Sequence, residues 1–168
     1  MNTKTFQKIS YGLYVVASKK PEFLNGQIAN TVFQVASDPP IIAVSINKKN
    51  LTHECIETSK IFSISILSKD TPLEFIGWLG FRTGREVKKF EKVQYRIGVI
   101  GSPIVLDYAV GYFECELEKE IDVITHTVFF GRVREAEIIS EADPMTYDYY
   151  HKIKGGKTQE RAPTFIKT

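Results

Sequence analysis

The chain has 168 residues, of which 43% are apolar and 25% charged, and its net charge is +2 at neutral pH. This length predicts a single domain, residues 1–168, with one core. The small net charge, without a cluster of lysine and arginine, excludes the basic surface of a nucleic-acid-binding protein. No apolar run approaches the roughly 18 residues of a membrane span, and the polar start Met1-Asn2-Thr3-Lys4 lacks the apolar core of a signal peptide. We therefore expect a cytoplasmic protein with no membrane partner.

The residues that most often bind metal ions are widely scattered. Cys55 and Cys115 are far apart in the sequence and form no CxxC motif. His53, His126 and His151 have no carboxylate at the spacing of a metal site. We therefore predict no metal site.

The first half of the chain is rich in strand-forming residues. A short helical segment over 3–9 precedes predicted strands at 11–18, 25–37 and 41–46, and a helix follows over 53–60 with Asn50 or Thr52 as its N-cap. The segment Ile61–Leu67 alternates apolar residues with serine. This alternation indicates either a half-buried strand or a strand whose polar face lines a groove.

The second half combines strands with two more short helices. Thr71-Pro72-Leu73-Glu74 has the form of a capping box and predicts a helix that reaches Gly80. Between residues 113 and 118, apolar residues alternate with glutamate, which predicts a strand with one solvent-exposed face. Another strand is predicted over 125–139. Asp143-Pro144 is expected to begin a last helix, about 145–154, which Gly155-Gly156 ends.

These elements do not alternate regularly between strand and helix, so a doubly wound parallel sheet is not expected. An antiparallel barrel that is closed or partly closed hides the edges of its strands. We therefore predict a mainly β protein, a β-barrel with short helices.

Polar side chains are concentrated in the stretch from Asn25 to Thr31, at the start of the predicted strand 25–37. Its amides and hydroxyl lie beside Ile28 and Ala29, so they are expected to be partly buried and must find hydrogen-bond partners. They either satisfy the backbone of their own fold or bind a polar, planar ligand. From this stretch alone, the structural interpretation is favoured.

Two segments are suited to binding an anion. Ser45 to Thr52 (SINKKNLT) leads from a strand into a helix and supplies hydroxyls, amides and a lysine, although most helix starts of this kind bind only water. Arg82 and Arg85 flank Gly84, and a solvated basic loop is the alternative interpretation there. The segment 154–158 is similar to the end of a P-loop, but His151 stands where that motif needs glycine.

Five segments in unbroken order resemble the flavin-reductase-like FMN-binding split-barrel family. They are NGQIANTVFQV, SINKKNLTHECI, TPLEFIGWLGFRTGREVKKF, DVITHTVFFGRV and MTYDYYHKIKGGKTQERAPTF. The resemblance spans the chain from Phe6 to Phe165. It implies a split barrel of antiparallel strands with Greek-key topology, and a homodimer that holds one noncovalent FMN near the interface in each half.

The resemblance also implies the activity. NADH or NADPH would pass a hydride to the flavin, and the electrons would continue to a small acceptor such as a ferric chelate or free flavin. The alternative is a non-enzymatic FMN electron carrier that serves a separate redox protein such as a rubredoxin. Because the chain has no cysteine quartet, we expect any iron centre to lie on a separate molecule.

Site residues are implied by their positions within the resembling segments. His126 is the expected catalytic residue, which would orient the nicotinamide or acceptor or relay a proton. The stretch 25–31 would follow the flavin ring, 45–47 its other edge and ribityl chain, and the loop 154–158 would cover the neighbouring subunit's site. The expected phosphate ligands are Lys48, Asn50 and Thr52. The full set of expected cofactor-binding residues is Asn25, Gln27, Ile28, Ala29, Asn30, Thr31, Ser45, Ile46, Asn47, Lys48, Asn50, Thr52, Phe81, Arg85, Lys89 and Lys157.

Overall fold

The computed structural model describes residues 1–166, and within them the chain forms nine strands and three α-helices. The strands are β1 (Tyr14–Lys20), β2 (Phe23–Ala29), β3 (Val32–Ser37), β4 (Pro40–Asn47), β5 (Ile61–Leu67), β6 (Tyr95–Ile97), β7 (Pro103–Val105), β8 (Ala109–Val123) and β9 (His126–Ile138). The helices are α1 (Leu51–Ser59), α2 (Leu73–Phe81) and α3 (Tyr147–Lys152), with 3-10 helices at Thr3–Lys8 and Lys89–Lys92.

Seven strands form one antiparallel sheet in the order β2-β1-β5-β8-β9-β4-β3, and β6 pairs with β7 separately. Strands β2 and β3 are the two edges, yet two residues, Asn30 and Thr31, separate them in the chain. Seven strands at about 4.8 Å spacing would place the edges of a flat sheet roughly 29 Å apart, whereas this link spans only about 10 Å. The sheet must therefore curl until its edges approach each other. The predicted barrel of antiparallel strands is confirmed.

The predicted single strand over 25–37 is wrong, because the structure divides it at Asn30-Thr31. The Thr31 carbonyl accepts a hydrogen bond from the Ser45 backbone N–H at 3.1 Å, and the Thr31 hydroxyl donates to Asn30 Oδ1 at 3.0 Å. Neither glycine nor proline marks this break in the sequence, and the residues on both sides favour strands. The break therefore becomes visible only when the order of the strands is known.

Apolar side chains fill two separate regions. Val16, Ile64 and Phe129 belong to a cluster inside the barrel, whereas Val15 and Leu79 belong to a second cluster that includes side chains of α2. The neighbours Val15 and Val16 point to opposite faces of β1 and both are fully buried. Both faces of β1 are therefore covered, which explains its continuous apolar sequence.

The predicted solvent-exposed face of β8 is wrong at Glu114, which is fully buried. Its carboxylate accepts hydrogen bonds from the backbone N–H of Val99 at 2.8 Å and from the hydroxyl of Ser102 at 2.8 Å. The loop between β6 and β7 supplies these donors. Further along the strand, Glu116 and Glu118 are exposed as expected.

Strand β7 also covers the serine face of β5. The Ser65 hydroxyl donates to the Val105 carbonyl at 2.7 Å, and the Ser63 hydroxyl donates to the Pro103 carbonyl. Both serines are fully buried. The sequence left two interpretations open for this serine face: exposure to solvent, or the lining of a groove. Both are wrong, because β7, a short strand that the sequence did not predict, packs over the serines.

Two of the predicted helix starts are displaced. Helix α2 begins at Leu73, and the Thr71 hydroxyl donates to the Ser68 carbonyl at 2.7 Å, so the predicted capping box is absent. Helix α3 begins after Thr146, whose hydroxyl oxygen accepts from the Tyr149 N–H at 3.1 Å. The expected start at Asp143-Pro144 is therefore wrong. None of the helices in residues 1–166 is long and apolar enough to cross a membrane.

Candidate functional site

Two cavities meet where β2, the start of α1, the end of α2 and the C-terminal segment come together. The first has a volume of 490 Å³ and the second 40 Å³. They share walls formed by Gln27, Gly80, Phe81, Gln159 and Arg161. Cofactor and ligand pockets have volumes of roughly 300–1,000 Å³, so the first of these two cavities is in that range and the second is not.

The polar side chains of β2 form one wall of the first cavity and bind the start of α1. The Asn25 amide donates to the Thr52 hydroxyl oxygen at 2.8 Å, and the Asn50 amide donates to Gln27 Oε1 at 3.0 Å. Asn25 and Gln27 are two residues apart, so they lie on the same face of the strand. The structural interpretation therefore holds for these amides. Because they also lie at the wall of a cavity, the ligand interpretation stays a prediction.

The first turn of α1 also borders the first cavity, through Leu51 and Thr52. Asn50 occupies the N-cap position, as expected, but its side chain makes no capping hydrogen bond because it is turned to Gln27. The first N–H groups of a helix lack partners within the helix and carry partial positive charge. This end of the cavity therefore favours an anion.

Lys89 lies beneath the same cavity and is buried, with 4% of its surface exposed. Its ammonium group donates to the carbonyls of Gly26 at 2.9 Å and Leu79 at 2.7 Å, which ties β2 to α2. No carboxylate in residues 1–166 forms an ion pair with it. Burial therefore lowers the pKa of Lys89 to about 8, because the charged form loses its hydration.

The segment after α2 closes over the cavity at Gly84. A Cβ atom at this position would overlap the Asn25 side chain, so only glycine allows the segment to approach β2 so closely. The indole N–H of Trp78 donates to the Lys89 carbonyl at 2.9 Å and holds the other end of the segment. Arg82 and Thr83 are thereby placed on the cavity wall.

The structure brings most of the expected site residues to the two cavities. Asn25, Asn50, Thr52 and Lys89 line the first, Gln27 and Phe81 line both, and the second is lined by Ile28, Ala29, Asn30, Ser45, Asn47 and Lys157.

Four expected residues line neither cavity. Lys48 forms an ion pair with Asp122, with 2.8 Å between Nζ and Oδ2, and Arg85 pairs with Glu54. Ile46 is fully buried in the barrel interior, and Thr31 lies in the link between the edge strands.

His126 also lies outside both cavities. Its Nε2 atom is 3.1 Å from the Arg161 carbonyl oxygen, and its Nδ1 atom is 2.9 Å from the Thr125 hydroxyl. Its contact with the site is therefore made through the backbone of the C-terminal segment.

The sequence missed most of the contribution of that segment. Residues 157–163 line the cavities of their own chain, although the loop 154–158 was expected to cover the neighbouring subunit. These residues form turns without periodicity, so the sequence cannot place their side chains. Arg82 was noted as cationic but not assigned to the site. The lining residues that were not predicted are Leu51, Arg82, Thr83, Glu86, Thr158, Gln159, Glu160, Arg161, Ala162 and Pro163, among others.

The donors and apolar walls fit a flat, polar ring with an anionic tail. Ile28, Ile76 and Pro163 give the second cavity apolar surface, while cations and helix N–H groups lie at the first. In the described part of the chain, no group of three or more His, Cys, Asp or Glu side chains could hold a metal ion.

Comparisons with known proteins identify the family of the chain. The model of the flavin reductase like domain matches residues 6–155. The chain is 47% identical over 165 residues to the high molecular weight rubredoxin of Moorella thermoacetica, covering 98% of this chain and 72% of that protein. It is 45% identical over 168 residues to the ferric-chelate reductase (NAD(P)H) of Archaeoglobus fulgidus, covering 100% and 99%.

A solved structure shares the fold. The FMN-binding protein from Thermus thermophilus superposes with a TM-score of 0.74 and 28% sequence identity, covering 79% of this chain and 73% of that one. The resemblance carried by the five sequence segments is confirmed, and the chain belongs to the flavin reductase-like family.

Proposed function

We propose that this chain is an FMN-dependent NAD(P)H oxidoreductase that passes electrons to a small acceptor, such as a ferric chelate or free flavin. The observation that carries the proposal is the 490 Å³ cavity, where a helix start, cations and strand amides converge. The similarity to a ferric-chelate reductase (NAD(P)H) over the full length of both chains supports it.

The phosphate of FMN is proposed to lie at the start of α1. Thr52 is 1% exposed and lines the cavity, in the first turn of the helix. Arg82 and Lys89 line the same cavity and add positive charge. Lys48 is no longer the favoured cation, because it is paired with Asp122.

The ring is proposed to lie along the end of β2, where Gln27, Ile28, Ala29 and Asn30 line the second cavity. When bound, the flavin would accept a hydride from the nicotinamide and release electrons to the acceptor. Amide donors fixed at the polar edge of the ring would stabilise the negative charge that reduction creates. Phe81 borders both cavities and would exclude water from the ring.

His126 is proposed to position the site instead of contacting the reacting atoms. It holds the backbone of Arg161, which borders both cavities. We further propose a homodimer in the cytoplasm. The unpaired cysteines Cys55 and Cys115 accord with a reducing compartment.

The second candidate function is an FMN electron carrier reduced by protein partners. The 47% identity to a high molecular weight rubredoxin, whose name points to rubredoxin chemistry, favours it. In this case the flavin would need no nicotinamide site.

Anaerobic reduction separates the two functions. The purified protein is expected to be yellow and to release FMN, not FAD, on heat denaturation. NADH or NADPH should bleach the bound flavin within seconds, and a ferric chelate should restore its colour. Flavin that stays oxidised with both nucleotides but is bleached by dithionite would establish the carrier, and a colourless protein that binds no added flavin would refute both.

A further inference from the structure

The segment that covers the site lies beyond the residues that the family model matches. The family model ends at residue 155, whereas residues 157–163 each line one or both cavities. With Thr164 they form a segment that we call the C-terminal strap. The strap contains turns but no helix or strand among its residues. It therefore adds side chains to the site from outside the matched residues 6–155.

Within residues 1–166, every hydrogen bond between the strap and the part of the chain that precedes it involves a side chain, and no strand pairing holds the strap. The Asn30 amide donates to the Thr164 hydroxyl at 2.7 Å, His126 Nε2 is 3.1 Å from the Arg161 carbonyl, and the hydroxyls of Tyr147 and Thr158 are 2.7 Å apart. Each such hydrogen bond contributes only about 1 kcal/mol in water. A segment attached in this way can open without unfolding the barrel.

The strap also narrows the region proposed for the ring. The second cavity, between the end of β2 and Pro163, has a volume of only 40 Å³. Ile76 of α2 and Tyr147 also line this cavity, so the strap is one of several walls around the region proposed for the ring.

Two arginines that line the first cavity have no carboxylate partner within residues 1–166. In residues 1–166, Arg85, Arg96, Arg132 and Arg134 form ion pairs, whereas Arg82 and Arg161 form none. Glu86 and Glu160 also line this cavity but pair with neither arginine.

The existing contacts of Arg161 are weak. Its guanidinium group lies 3.4 Å from the Lys49 carbonyl and 3.5 Å from Asn50 Oδ1, at the limit of hydrogen bonding. A guanidinium group carries five N–H donors that match the oxygens of a phosphate. Most of the donors of Arg161 are therefore free to bind a ligand.

We propose that the C-terminal strap is an anion-responsive clamp, in which Arg161 of the strap and Arg82 bind one phosphate monoester. The ligand draws the strap onto the site, and His126 positions the backbone of Arg161 in the closed form. This inference rests on the proposed function, because the two sources of such a phosphate are the 5′-phosphate of FMN and the 2′-phosphate of NADPH.

The test compares Arg161→Gln with Arg82→Gln, and uses Arg134→Gln as the matched control because Arg134 pairs with Glu116 away from the site. Flavin fluorescence gives the Kd of the apoprotein for FMN and riboflavin, and steady-state rates give the KM for NADPH and NADH. Both site variants should bind FMN about tenfold more weakly, with riboflavin little changed. A loss confined to NADPH would assign the clamp to the 2′-phosphate.

Limited trypsin digestion reports the strap without depending on activity. If the clamp binds the 5′-phosphate of FMN, FMN should protect the bond between Arg161 and Ala162 of the wild type from cleavage, whereas riboflavin should not. If it binds the 2′-phosphate of NADPH, NADP⁺ should protect this bond and NAD⁺ should not. His126→Ala should speed cleavage, and His126→Gln, which keeps a donor, should restore part of the protection.

The outcomes separate this inference from the proposed function. The clamp is refuted, and the flavin site stands, if riboflavin binds but the Arg161 variant has the same Kd for FMN and the same KM for NADPH as the Arg134 control. If the wild type binds neither flavin nor dinucleotide, both are refuted.

Discussion

At the scale of single residues, the site depends on polar groups that serve the fold and the cavity together. Asn25 ties β2 to α1 through Thr52, and Asn50 gives up its capping role to bind Gln27. An uncapped helix start costs about 1 kcal/mol. That cost is understandable where the free N–H groups face a cavity suited to an anion.

Lys89 gives a pH-dependent test of the same region. Its pKa is about 8 in the folded chain and near 10.5 in the unfolded chain. Between these values the unfolded chain binds more protons, so the contribution of Lys89 to stability rises with pH. Relative to Lys89→Met, the wild type should gain about 2 kcal/mol in unfolding free energy between pH 7 and pH 9.5.

Urea unfolding of the apoprotein at both pH values measures this change. The comparison with a variant cancels the other groups that titrate there, such as the buried thiols Cys55 and Cys115, whose pKa values burial raises. Lys88→Met is the control, because Lys88 is exposed. A wild-type advantage that does not change with pH would show that Lys89 is not desolvated.

At the scale of elements, the sequence predicts the secondary structure of a segment more reliably than which other segments pack over it. The alternation of β5 and β8 identified both strands, because a period of two is a property of the segment itself. The burial of Glu114 and Ser65 could not be predicted, since it depends on the short strand β7 and the loop before it. Strands of three residues leave too little periodicity to detect.

The Glu114 carboxylate should be essential to the loop between β6 and β7. Its oxygens face the N–H groups of Val99 and Ile100 and the Ser102 hydroxyl. Glu114→Gln would turn an NH₂ group towards at least one of these donors and leave it without an acceptor. We expect a loss of about 1–3 kcal/mol in unfolding free energy.

Urea unfolding with Glu116→Gln as the control checks this effect. Glu116 lies on the same strand but is exposed and pairs with Arg134, so its replacement should cost under about 1 kcal/mol. Equal losses in the two variants would mean that the buried hydrogen bonds of Glu114 contribute nothing beyond those of a surface ion pair.

At the scale of the whole molecule, the curled sheet assembles the site from segments that are distant in sequence. Asn30 and Thr31 close the barrel and place the end of β2 beside β4, while α1 and α2 bring the helix start and Arg82 to the same cavity. Resemblance in sequence order predicted this assembly for β2 and α1. It did not predict that the strap lines the cavities of its own chain. The strap has no helix or strand whose periodicity would place the side chain of Arg161.

The curled sheet also leaves β3 as an edge with one neighbour, β4. On this edge Phe33 and Val35 are 53% and 47% exposed. An apolar edge strand is a hazard for aggregation in a monomer and a natural surface for pairing with a second copy. We therefore predict that β3 contributes to the interface of the proposed homodimer.

Light scattering after size-exclusion chromatography tests this prediction. The wild type should have about twice the mass of the 19.1 kDa chain. Phe33→Arg should yield monomers, since a buried, unpaired charge at an interface costs several kcal/mol. Phe6→Arg is the matched control, because Phe6 is 50% exposed but lies outside the sheet. A dimer that persists in Phe33→Arg, or dissociates equally in both variants, would place the interface elsewhere.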